Sequence, residues 1–135
     1  MAESDEAAPT GGLFSFGARV LVLDSITEAI GPGAACVVVS GSHGGLSAGR
    51  FALQAQVRLA VFNDAGVGLD QAGIAGLALL QAHGIAGCTV AHDSARIGDA
   101  TSTWQTGLIS HVNAAAAALG ARPGLGLQAW LLSSA

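Results

Sequence analysis

With 135 residues, 51% of them apolar and only 10% charged, the chain reads as one domain with enough material for a sizeable core. Five arginines, no lysine and nine acids give a net charge of −4. No basic stripe exists to neutralise phosphates, which argues against a nucleic-acid partner. So few charges also leave little to keep a monomer soluble, and a homo-oligomer is expected.

Residues 1 to 12 combine Glu3, Asp5, Glu6, Pro9 and a Gly pair. They are expected to form a disordered acidic tail ahead of a single α/β domain spanning residues 13 to 135. The acidic start lacks the basic and apolar regions of a signal peptide, so a cytoplasmic location is expected. Arg19 to Leu23 is predicted as the first strand, ending at Asp24-Ser25. A short helical turn over Ile26 to Ile30 is closed by Gly31-Pro32-Gly33. Cys36 to Val39 is a second strand, continuously apolar as for a strand buried on both faces.

Leu46 to Ala55 is a predicted helix and Val57 to Phe62 the third strand. Gln71 to Ala82 is the clearest helix, stopped by Gly84, and Ile85 to Ala91 is the fourth strand. Residues 71 to 91 carry no charge, but Gln71, Gln81, His83 and the glycines interrupt them, so no membrane partner is expected. Asp99 is placed to cap a helix over 100 to 106. Leu108 to Leu119 is predicted as a further helix ended by Gly120, and Leu127 to Leu132 as the last, bearing Trp130. Strand and helix alternate, which predicts a three-layer α/β domain with a mostly parallel sheet of about four strands. Cys36 and Cys88 fall in strands and read as buried free thiols.

Polar residues of catalytic type follow three of these strands directly, at the sheet edge where α/β proteins bind ligands. The first cluster is Ser40-Gly41-Ser42-His43-Gly44-Gly45. Its glycines allow close backbone approach, and a helix start offers N–H groups to an anion. It matches neither a phosphate-binding loop nor a dinucleotide fingerprint. The second is Asn63-Asp64-Ala65-Gly66, for which an Asx turn is the competing explanation. Asp70, on the same loop, is read as a helix cap.

The third cluster, His92-Asp93-Ser94-Ala95-Arg96-Ile97-Gly98-Asp99, places a histidine, an arginine and two carboxylates in one short segment. Arg96 suits a carboxylate or phosphate, unless it pairs with Asp93 or Asp99. No cofactor is expected. A divalent metal at His43, Asp64, His92 and Asp93 is the minor alternative, unsupported by any ligand-spacing motif. His83 and His111 fall in predicted helices and are assigned to solvent or packing.

The stretch Val61 to Gly124 resembles part of the YunC-like domain-of-unknown-function proteins, a small uncharacterised family. The resemblance rests on Asn63-Asp64-x-Gly66, an apolar helix, Gly84-Ile85 before a strand, and an Ala-rich helix ending Leu119-Gly120. It covers about half the chain. It implies a compact α/β fold and an oligomer, and transfers no activity.

The expectation for function is a small enzyme of hydrolase or lyase type, acting on an anionic, carbonyl-containing metabolite. His43, Asp64, His92 and Ser94 are its candidate catalytic groups. Ser42, Gly44, Gly45, Asn63, Arg96 and Asp99 are its candidate substrate contacts, and His43→Ala and Arg96→Ala are each expected to abolish turnover. The alternative is a non-catalytic ligand-binding or assembly subunit, with the polar loops satisfied by their own backbone or by a neighbouring copy.

Overall fold

A computed structural model describes residues 13–134, so the expected tail over 1 to 12 lies outside the described residues. All four predicted strands are present: β2 (Ala18–Leu23), β3 (Val37–His43), β4 (Leu59–Asn63) and β5 (Ala86–Val90). They pair in parallel and in sequence order. Two more strands extend the sheet to six, with β1 (Phe14–Ser15) and β6 (Ile109–Val112) antiparallel at the two edges. The α/β class therefore holds, but the sheet is mixed and larger than the expected four strands.

Among the described residues five helices accompany it: α1 (Leu46–Ala55), α2 (Ala75–Ala82), α3 (Ala100–Thr106), α4 (Ala114–Ala118) and α5 (Leu127–Ser133). Short 3-10 turns lie at Ile26–Ala29 and Leu69–Ile74. No helix among the described residues is long and apolar enough to cross a membrane.

The central strands are valine-rich because both faces are covered, and alternate residues feed two separate cores. Val37, Val39, Leu59, Val61, Cys88 and Val90 pack with Trp104, Leu127, Trp130 and Leu131 beneath α3 and α5. Val38, Ala60 and Phe62 pack on the other face with Ile26, Ala48, Ala52, Leu77 and Leu80 of the crossover segments. Small residues bring α1 and α2 together. A Cβ on Gly76 would meet the Gly44 carbonyl oxygen at 2.9 Å, so only glycine permits this approach.

Each crossover from β2 to β5 steps to the next strand in the same direction, and its linking segment lies on one face. A parallel sheet wound in one direction has no switch point, hence no crevice where neighbouring crossovers diverge. After β5 the chain turns back across the carboxyl ends of the strands. Asn63 at the end of β4 donates from Nδ2 to the Ala95 carbonyl at 3.1 Å. Gly98 N–H donates to the Gly41 carbonyl of β3 at 2.7 Å, and Ala100 N–H to Asp24 Oδ1 beyond β2 at 2.9 Å. The segment 92–99 is therefore a strap over the sheet end.

The predicted helix 108–119 is the largest departure. It divides into β6 and α4, with Asn113 between them. The Asn113 side chain caps α4 by accepting from Ala116 N–H, and also accepts from Gly87 N–H. Its Nδ2 donates to the carbonyls of Leu77 and Ile85. One buried amide thus ties β6, β5, α2 and α4 together. Asn113→Ala is expected to lower folding stability by about 2 kcal/mol in urea denaturation, because it removes a cap and strands buried polar groups. An unchanged midpoint would show that water replaces these bonds.

Candidate functional site

Two surface hollows stand out, one lined by Ser42 and His43 of the first polar cluster and the other by no residue of the three clusters. In the first cluster, the Ser40 hydroxyl is buried and donates to the Val61 carbonyl, and the Ser42 hydroxyl accepts from Ile26 N–H at 3.0 Å. Two of the loop's backbone N–H groups are already occupied. Gly44 N–H donates to the Asn63 carbonyl, and Gly45 N–H to Nδ1 of His43 at 3.2 Å. His43 itself is exposed and opens onto a small hollow of about 180 Å3 with Ser25, Thr27, Ser47 and Phe51.

Much of the third cluster is spent in the same way. Asp99 caps α3 by accepting from Ser102 N–H, and the Ser94 hydroxyl donates to the Ala91 carbonyl while accepting from Leu108 N–H. Arg96 is exposed and pairs with neither Asp93 nor Asp99. Asn63 makes the expected Asx turn, accepting from Ala65 N–H at 2.8 Å.

Two of the candidate residues do come together. Asp64 directly follows β4, with its side chain only 6% exposed. Its Oδ1 accepts from Gly66 N–H at 2.8 Å and from His92 N–H at 3.0 Å. The His92 ring stands over it, Nδ1 lying 3.5 Å from the same oxygen. On the other side, Nδ1 of His111 lies 3.8 Å from Oδ2. Burial pushes the Asp64 carboxyl up, but hydrogen bonds from Gly66, Ser110 and His92, together with the nearby His111, outweigh it. The group is held below its ordinary value of 3.8, so it is an anion at neutral pH.

His111 reaches this carboxylate because β6 is bulged. Val90 pairs with Ile109 and Thr89 with His111, which leaves Ser110 as an extra residue. Such a bulge re-aims side chains. Here Ser110 and His111 both meet Thr89, whose hydroxyl lies 2.9 Å from the Ser110 hydroxyl and 3.3 Å from Nδ1 of His111. Ser110 and Asp64 both approach the His111 ring at Nδ1. A hydrolytic triad needs serine and acid at opposite ring nitrogens, so this is not one.

His111 and Ser110 line a groove of about 720 Å3 between β6 and α2. That volume suits a small molecule. The far wall is Ile74, Ala75, Leu77 and Ala78, and Asp70, Gln71 and Gln81 bring polar groups to it. The His111 side chain is 37% exposed and the His92 side chain 60%, so both rings meet solvent with Asp64 behind them.

Among the described residues no group of three His, Cys, Asp or Glu side chains is placed to hold a metal ion. Cys88 is fully buried, and burial pushes its thiol up to about 12, which makes it an inert core residue.

Of the residues in this cluster, Asp64 and His92 are among the sequence candidates, whereas Ser110 and the groove are not, and His111 was assigned to solvent or packing. The signal was Asn113, a strong cap residue directly before the alanine run. Read as a cap, it starts the helix at 114 and frees Leu108 to Val112, rich in β-branched residues, to be a strand. No protein family, curated protein or solved structure was found to match the chain.

Proposed function

We propose that the protein is a small cytosolic enzyme of hydrolase or lyase type, with its chemistry at the β6–α2 groove. The observation that carries this reading is one buried, ionised carboxylate set behind two half-open imidazoles, one of which lines a cavity of small-molecule size. Both rings turn Nδ1 towards Asp64, which leaves Nε2 to meet a ligand. His111 acts as general acid/base on a carbonyl-containing substrate, Asp64 fixes its orientation, and the Ser110 hydroxyl is a second polar contact. Buried free thiols at Cys36 and Cys88 fit a reducing compartment. Exposed Leu69, Leu108 and Leu132 are the apolar surface available to a second copy of the chain.

A panel of small esters and amides, neutral and amine-bearing, tests this. His111→Ala is expected to lower turnover by about 100-fold or more, the usual contribution of a positioned acid/base group. His43→Ala and Arg96→Ala, which lie outside the groove, are expected to leave turnover unchanged. Loss of turnover in His43→Ala with full activity in His111→Ala would move the site to the Ser42–His43 hollow.

The second reading is a non-catalytic ligand-binding or assembly subunit. The observation in its favour is that Ser42, Asn63, Ser94 and Asp99 are each satisfied by local backbone. It predicts saturable binding in the groove with no turnover of any panel compound.

A further inference from the structure

We propose that the groove accepts a small ligand with a cationic amine head and an apolar body, and rejects carboxylates and phosphates. This deepens the reading of His111 as the reactive group and rests on it.

The walls supply the first half of the argument. Ile74, Leu77 and Ala78 from α2 face Val112 and Pro123, a surface suited to a hydrocarbon body. Charge supplies the second. Among the described residues Asp70 is the only Asp or Glu lining the groove, and none of the protein's five arginines lines it. The remaining polar lining, Gln71, Gln81, Ser110 and Asn113, is neutral, apart from His111.

Behind His111 stands a second carboxylate, Asp64, whose ion-pair neighbours within 4 Å among the described residues are the rings of His92 and His111. Asn113 has no donor to offer, since its Nδ2 is spent on Leu77 and Ile85. An anion entering here meets two negative charges and no guanidinium. An ammonium group meets Asp70 at the exposed wall and Asp64 beyond the ring, an attraction that solvent weakens without changing its sign.

Three compounds of nearly equal shape separate these cases: benzylammonium, benzoate and benzamide. They would be titrated into the 15N-labelled protein at about pH 8, above the ordinary histidine range. Benzylammonium is expected to shift the amides of Ala78, His111 and Val112, with about tenfold higher affinity than benzoate. Asp70→Asn is expected to weaken it about two- to fivefold, the scale of a partly exposed charge pair. Asp70 has a φ of 54°, which asparagine adopts readily, so this variant keeps the loop.

Benzoate or benzamide binding at the same amides as tightly as the amine would overturn the cationic class while leaving the groove as the site. An unchanged amine affinity in Asp70→Asn would do the same. Shifts confined to other surfaces, or no shifts with any of the three, would overturn both the ligand class and the groove.

Discussion

Asp64→Ala is expected to cost about 4 kcal/mol of folding stability, and Asp64→Asn only about 1 kcal/mol. Alanine leaves two backbone donors, Gly66 and His92 N–H, without their acceptor, and removes one of several partners of the Ser110 hydroxyl. Each hydrogen bond to a charged group is worth about 1.5–3 kcal/mol, so the sum approaches the whole stability of a small domain. Asparagine differs because both N–H groups converge on Oδ1, which an amide oxygen replaces.

Urea denaturation measures both variants. Equal losses would mean that charge, rather than the acceptor, holds the loop together. Acid adds a sign. The carboxyl is held below 3.8 in the folded state, so its contribution is complete above that value and drains away as pH falls through the lower folded value. The stability gap between the native protein and Asp64→Asn should therefore close as pH falls from about 4 towards about 2. A gap that persisted in full at about pH 2 would contradict the assignment.

Gly41→Ala is expected to destabilise the protein by about 3 kcal/mol, at the upper end of overpacking effects, with loss of the strap from the sheet. A Cβ at position 41 would collide with the Asp99 nitrogen and sit 2.6 Å from the carbonyl carbon of Gly98. Backbone cannot swing aside as a side chain does, and Gly98 N–H donates to Gly41 at this point. Hydrogen exchange locates the effect. Protection should fall first at Gly98 and Asp99 and later in the β4 core. If Gly41→Ala folded as stably as the parent, the glycine would be free to serve a ligand, as the sequence first suggested.

The four central strands were legible because parallel strands covered on both faces show as unbroken apolar runs, as at Leu59-Ala60-Val61-Phe62. Helix α1 was legible to the residue, starting after Gly45 and ending at Gln56 in a left-handed cap. The β1 hairpin and β6 were not. Two residues of β1 carry no periodicity, and the bulge at Ser110 breaks the alternation that marks a strand.

The site was half legible for a related reason. Polar residues after a strand look the same whether they face a ligand or tie down a loop. Ser94 and Asp99 hydrogen-bond to nearby backbone, and Asp64 is a buried hub. Telling them apart needs the partner, and for Asp64 that partner is His111, 47 positions downstream by the numbering and on a strand hidden in an apparent helix.

The unbroken strand order carries a consequence for how the molecule is made. Each strand pairs only with those adjacent to it in sequence, so a chain emerging from a ribosome can add them one by one as they appear. Closure entropy is then small at every step. The last strand delivers Ser110, His111 and one wall of the groove. Until it docks, the carboxylate of Asp64 has no second ring beside it. A nascent or truncated chain can thus hold most of its sheet before the proposed site is complete, because Ser110 and His111 lie on the last of the six strands in chain order.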